Sequence, residues 1–352
     1  MLRRVLFVGL GSAGQRHLRN LTRIVAGMGD ELEVMAYRHH KSERVFDDHM
    51  KVISGETLQS KYNIKEYKSY EAALDEQPDF VVIANPNSMH MQYALEAAKY
   101  GIDMFVEKPI SVSIDGVNEL KKLVSDKKLI CQVGFNHRYN CGFLKIKDWW
   151  ESGKIGEIVS ADFEIGECIS KMHPYEDYRT MIEARKDLGG GVVLCQCHEL
   201  DLLFWLFGYP QSVYSIGGST GIFDTDVEEI AESLFCYETS ERRFSVRIHQ
   251  DYLQTTPVRK VKIIGTKGIV IADLLKLEGT LSMYGENKVT GYHEEGFERN
   301  SMFIAEMKTF IRCVDERLEP DCNIESAIGS LIMGLAIRES MATNKQVMIH
   351  AL

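Results

Sequence analysis

The chain has 352 residues, enough for two domains each with its own core, and its 45% hydrophobic and 26% charged residues are those of an ordinary globular protein. A formal net charge of −10 and the lack of a long basic run argue against nucleic acid or an anionic membrane as partner, while leaving room for a local basic pocket. Eight scattered cysteines without framework spacing, no signal-peptide pattern at Met1-Leu2-Arg3-Arg4 and no apolar run long enough to span a bilayer read as a reduced, cytoplasmic protein.

The pattern opens with an apolar run, Val5–Val8, that stops at Gly9-x-Gly11-x-x-Gly14 and turns helix-like. Strand, glycines and helix in that order form a dinucleotide-binding motif. Gly9 permits a tight turn, Gly11 lets a pyrophosphate approach the backbone, and Gly14 lets helix and strand pack closely. The phosphates then meet the N–H groups of Ser12 and Ala13 at the helix start. The bland alternative is a glycine turn without a ligand. Strands follow at Leu32–Tyr37 and Ile64–Tyr67, a helix at Tyr70–Glu76, and a strand buried on both faces at Phe80–Ala84. A helix over Ser88–Tyr100 ends at Gly101, and Ile102–Val106, Ser113–Lys127 and Leu129–Val133 add strand, helix and strand. This alternation predicts a doubly wound parallel sheet over residues 1–134.

Beyond Gly134 the rhythm changes. A helix near Phe143–Glu151 leads to a strand in Ile155–Ile165, an irregular polar stretch over Ser170–Lys186, three glycines at 189–191 and an apolar helix, His198–Phe207. Strands at Gln211–Ile216, Glu228–Tyr237, Arg242–Gln250, Val258–Ile264, Gly268–Asp273 and Gly279–Tyr284 succeed one another without helices. They predict an α+β domain with a largely antiparallel sheet over residues 135–352. Two helices close the chain, one with Asn300 as N-cap and one over Glu325–Asn344.

Four segments together resemble the glucose–fructose oxidoreductase/inositol dehydrogenase/MocA (Gfo/Idh/MocA) family: GLGSAGQRHLRNL (9–21), ANPNSMHMQYALEAAKYGIDMFVEKPIS (84–111), VGFNHRYN (133–140) and LGGGVVLCQCHELDLLFWLFG (188–208). The resemblance implies a Rossmann domain followed by an α+β domain with a large open sheet, whose exposed face often mediates homo-oligomer formation. It also implies that nicotinamide binds in a cleft, and that the substrate is a sugar, cyclitol or nucleotide sugar. The C-terminal helix is expected to pack back on the first domain. Glu107-Lys108-Pro109 matches the family's Glu-Lys-Pro, so Lys108 is expected to contact the substrate hydroxyl or the nicotinamide ribose, and Glu107 to lie with it at the cofactor. His198 is the family's second candidate for proton transfer, with Asp201 one helical turn on. An imidazole titrating near neutrality suits that work. Its bland reading is a helix-terminal histidine satisfied by backbone.

No acid follows the second strand, where an NAD-preferring domain carries Asp or Glu. Arg38, helped by Lys41 or Arg44, suits a 2′-phosphate instead, which favours NADP(H) over NAD(H); the alternative is a set of solvated charges. Asn85, Pro86, Asn87 and His90 should run beneath the cofactor, with an Asx-type helix cap as the competing role for Asn87. Asn136, Arg138, Tyr178, Arg179 and Arg185 are candidates for substrate recognition, against the reading of solvated loop or structural ion pair. Cys195-x-Cys197-His198 is not an established zinc spacing, and no metal is expected.

One departure stands out. Many members carry an aspartate three or four residues before the histidine, where this chain has Cys195 and Leu194. The expected activity is an NAD(P)-dependent oxidoreductase acting on a ring CH–OH. Three readings compete with it: an NAD-dependent glycosidase of the same fold, a ligand-sensing regulator without turnover, and a reductase of a non-sugar small molecule.

Overall fold

The computed structural model describes residues 1–39, 44–48, 51–240 and 242–352. Residues Met1–Phe135 and Arg299–Ile328 form one compact unit, Asn136–Glu298 and Gly329–Leu352 a second.

In the first unit, six strands form a sheet in the order Lys65–Tyr67, Glu31–Tyr37, Leu2–Val8, Phe80–Ile83, Asp103–Val106, Cys131–Val133. Every pairing is parallel. Phe80 to Ile83 are fully buried, as a strand covered on both faces requires. The helix Asn300–Glu316 belongs to this core: Phe310 meets Phe80 and Phe105 edge-on at 5.1 and 5.7 Å, and Met307 and Ile311 are buried with it. Polar contacts hold the same segment, with Arg3 forking Asp315 at 2.8 Å through both terminal nitrogens and Val133 N–H donating to Cys322 O at 2.9 Å. Asn300 is not the N-cap expected of it. It lies inside the helix, and its amide exchanges two hydrogen bonds with Asn20, at 2.9 and 3.1 Å, on the first helix (Ser12–Gly27).

The helix expected from Ser113 starts only at Val117. Ser111, Ser113 and Asp115 spend their side chains on each other's backbone and hydroxyls, and Gly116 enters the left-handed region at φ +76°. The helix expected over Ser88–Tyr100 opens with a 3₁₀ turn at Asn87–Met89. Pro86 precedes that turn, and Asn87 is its first residue.

In the second unit nine strands form a mainly antiparallel sheet. One pair is parallel, Ile158–Gly166 with Arg243–Asp251. Burial alternates along Ile230–Glu238, so one face packs on the helix His198–Phe207 and its neighbours while the other is open. A cross-strand row on the open face runs Tyr214, Leu234, Arg247, Asp162, Lys262, Ile271, and its apolar members are 41 to 53% exposed. Among the described residues no single helix is long and apolar enough to cross a membrane.

Candidate active site

At the start of the first helix the three glycines meet three different demands. Gly9 sits at φ +89°, and a Cβ there would lie 2.7 Å from Ala84 O. A Cβ on Gly14 would lie 2.3 Å from Gly9 O. Gly11 meets nothing within 4 Å, so the space above it is open. Gly11 is the helix N-cap, makes no side-chain cap, and no acid occupies the first turn. The N–H groups of Ser12, Ala13 and Gly14 therefore present a positive end to that space.

Gln15, which the sequence did not single out, organises the surroundings. Its fully buried amide donates to Leu10 O at 3.0 Å and Arg44 O at 2.8 Å and accepts from Phe46 N–H at 2.9 Å. Arg44 is thereby tied beside the glycine turn. Arg38 follows the second strand, whose last carbonyl, Tyr37 O, accepts from Gly9 N–H at 3.1 Å. Its guanidinium is only 5% exposed and pairs with Glu66 on the neighbouring strand, so it is not the solvated charge of the bland reading. Lys41 lies outside the described residues.

Asn85 follows the strand Phe80–Ile83 and abuts Gly9. Both atoms of its amide are buried and lack a hydrogen-bond partner. Such a group needs a polar occupant beside it. His90 lies where it is expected, next to Asn85. Its Nδ1 faces Pro109 O at 2.7 Å and its Nε2 faces Asn85 O at 2.9 Å, so the ring sits between the Asn85 loop and the Lys108-Pro109 turn. Burial lowers the pKa of the ring against the pull of both carbonyls, and a neutral ring donates to one of them only.

Glu107 explains itself through His17. The buried ring nitrogen Nε2 lies 2.6 Å from Glu107 Oε1, while Oε2 accepts the Lys108 N–H at 3.1 Å. Burial would push the carboxyl up, but His17 and the charge of Lys108 outweigh it and hold it below the usual range. Lys108 is half-buried at the carboxyl end of the strand Asp103–Val106. Ligands of open parallel sheets bind at that edge.

In the second unit, His198 begins its helix after Cys197, and Leu194 and Cys195 are buried in the short helix before it. Arg138, expected to reach substrate, is instead sealed. It forks Asp201 at 2.6 and 2.8 Å with side chains 2% and 0% exposed, and its guanidinium lies 5.0 Å from the Trp205 ring. That pair fixes the helix to the turn Asn136–Tyr139. Asn136 beside it keeps a buried amide nitrogen without a partner. Three further residues join His198. His137 packs against it with ring centroids 4.6 Å apart, Arg259 donates to the His137 ring, and Arg259 Nε pairs with Glu199 at 2.8 Å. Nothing in the sequence marks His137, Glu199 and Arg259 as neighbours.

Tyr178, Arg179 and Arg185 lie on the irregular stretch and bind locally. The Tyr178 hydroxyl accepts from Asp224 N–H at 3.1 Å, Arg179 pairs with Asp177 and Arg185 with Asp187. The side chains of the two arginines are about half exposed (56% and 45%), so these pairs hold them weakly. The loop is anchored from beneath by Arg338, which reaches Gly190 O at 2.6 Å and Glu228 at 2.7 Å. Among the described residues no cluster of His, Cys, Asp and Glu has metal-site geometry.

Residues 3–135 match an oxidoreductase family with an NAD-binding Rossmann fold, and residues 143–271 match the GFO/IDH/MocA C-terminal domain. Among curated relatives, 2,7-anhydro-N-acetylneuraminate hydratase of Mediterraneibacter gnavus is 26% identical over 62% of this chain and 58% of its own length. An NAD(+)-dependent scyllo-inositol 2-dehydrogenase of Bacillus subtilis is 22% identical over 98% and 96%. The chain spans 58 to 60% of the length of two of the curated relatives it matches. A levoglucosan dehydrogenase solved with NADH and levoglucosan superposes with a TM-score of 0.83 over 100% of both chains at 16% identity, a likeness of fold.

Proposed function

This chain belongs to the Gfo/Idh/MocA oxidoreductase family, and from that premise we propose that it moves a hydride to or from a ring carbon of a sugar, cyclitol or nucleotide sugar. The observation that carries the reading is the open space over Gly11 at an uncapped helix start, beside the orphaned amide of Asn85. An anionic dinucleotide fits both features, with Gly11, Ser12 and Ala13 toward its phosphates and Asn85 satisfied by its polar groups. Bound there, it supplies the hydride acceptor or donor. Lys108, its backbone held by Glu107, binds the substrate hydroxyl, and His198 takes or returns the hydroxyl proton.

The preferred dinucleotide is NADP(H). No carboxylate ends the second strand, and the guanidiniums of Arg38 and Arg44 suit a 2′-phosphate. Glu66 competes for Arg38, so preference rests on which partner the guanidinium takes. Fluorescence titration of cofactor-free protein with NADPH and NADH tests this. Tighter NADPH binding supports it, and tighter NADH binding overturns it. The open face, on which Leu234 and Ile271 lie either side of Arg247, Asp162 and Lys262, suits a second copy of the chain, to be checked by mass in solution.

A second reading has its own support. The relative named as a hydratase favours a cycle without net redox change. Product formed from excess anhydrosugar or glycoside with catalytic NAD(P) and no accumulating reduced cofactor would identify it.

A further inference from the structure

We propose that Glu199 and Arg259 are positioning residues that set the proton affinity of His198 through His137. The inference deepens the reading above, since it concerns a group placed there in proton transfer.

Arg259, Glu199 and His137 are 6, 1 and 4% exposed. A guanidinium keeps its charge at any pH the fold survives. Arg259 Nη1 donates to the His137 ring, lying 3.2 Å from Nδ1 and closer to Nε2. The His137 ring links Arg259 to the His198 ring, whose plane is tilted 59° to it. Alone, the Arg259 charge would oppose protonation of His198. Glu199 follows His198 in the chain and meets Arg259 Nε at 2.8 Å, and its carboxylate cancels that charge.

The other groups packed around this layer do not do the same. Arg138 and Asp201 close on each other as a pair without net charge. Cys195, Cys197 and Tyr252 are buried, and burial raises the Tyr252 hydroxyl far above its ordinary value. Glu167 acts on Glu199 in the same direction as burial, and together they push the Glu199 carboxyl up against the pull of Arg259. Burial pushes the Asp201 carboxyl up as well, but Asp201 is closed on Arg138, and Glu199 is the carboxylate that meets Arg259. It lies on the C-terminal side of His198, opposite the positions filled by Leu194 and Cys195.

The test uses the full chain with ¹³C at histidine Cε1, His198 being assigned by the resonance lost in His198→Gln. Glu199→Gln strands the Arg259 charge, and the His198 midpoint should fall by about one pH unit, the order expected of an uncompensated buried charge acting across the His137 ring. Glu199→Asp and the double variant Glu199→Gln/Arg259→Gln should both return close to the unmodified midpoint. A lost structural contact would not be repaired by removing its partner. An unchanged midpoint in folded Glu199→Gln, or a double variant as low as the single one, overturns the proposal. Should Glu199→Gln not fold, the unmodified protein carries the test. With ¹³C also at glutamate Cδ, the His198 resonance should bear the inflection of the Glu199 carboxyl, and its absence overturns the proposal. No turnover is read, so a chain inactive on every carbohydrate would sink the functional reading and leave this result standing.

Discussion

His17 holds Glu107 at 2.6 Å from within the first helix, and the other oxygen of that carboxylate holds the backbone N–H of Lys108. The helix that begins at the glycine turn thus also fixes the chain at the lysine expected to bind substrate. His17→Phe keeps a buried ring against Phe105, 4.8 Å away, and removes only the hydrogen bond. Leaving a buried carboxylate short of a partner costs about 1–3 kcal/mol, measurable in urea unfolding. Turnover should fall further than substrate affinity, because Lys108 is displaced, not lost. The sign with pH follows from Glu107 being held below its ordinary range. Its contribution is complete above the unfolded value, about pH 4.3, and disappears as pH drops through the lower folded value. In His17→Phe that acid loss should shrink.

Gly11 and Gly14 separate fold from ligand. A methyl on Gly11 meets open space, so Gly11→Ala should leave the melting temperature unchanged and weaken dinucleotide binding at least about tenfold by crowding the phosphates. A methyl on Gly14 would lie 2.3 Å from a backbone oxygen, so Gly14→Ala should lower stability and binding together. Calorimetric melting and cofactor titration of both variants check the contrast. Equal melting losses would refute it.

Much of the fold is legible along the chain because its signals are local. The buried runs Val5–Val8 and Phe80–Ile83 need nothing beyond their own residues to read as strands, and the glycine turn is defined within six positions. What is not legible depends on distant partners. Asn300 looks like a cap until Asn20 is found beside it, 280 residues away in sequence. Arg138 looks like a ligand group until Asp201 closes on it, and Arg259 reaches His137 across 122 residues. The strand Val289–His293 escapes notice for the opposite reason: it is almost wholly exposed and carries no alternating pattern.

The Arg138–Asp201 pair is buried on both sides, and removing one partner strands a charge. Arg138→Gln should destabilise the second unit by about 3–5 kcal/mol, whereas Arg138→Met with Asp201→Leu should cost much less. Urea unfolding of the three proteins decides it. A double variant as unstable as the single one would mean that lost packing over Trp205 dominates.

Arg38 and Glu66 make cofactor choice a competition. Arg38→Ser should weaken NADPH more than NADH, and Glu66→Gln should tighten NADPH by freeing the guanidinium. Fluorescence titration with both cofactors checks the pair. If Arg38→Ser affects the two equally, the guanidinium serves the strand edge and not the ligand.

His249 provides a pH signature in the alkaline range. Its ring lies between Asp251 at 2.7 Å and Glu232 at 2.5 Å, and the Asp251 hydrogen bond, with help from Glu232, outweighs burial and raises its pKa to about 9. The folded value lies above the unfolded one of about 6.5, so the folded state binds the extra proton more tightly. That contribution is fully present below the unfolded value and is lost as pH rises through the folded one, so the second unit should weaken progressively from about pH 6.5 to 9. His249→Gln keeps a donor for one carboxylate but cannot be charged, so it should be less stable at pH 6 and nearly equal to the unmodified protein at pH 10. Urea midpoints across that range give the answer. A difference that stays constant with pH would mean that His249 is neutral in the fold, and its place between the two carboxylates would then be a matter of packing.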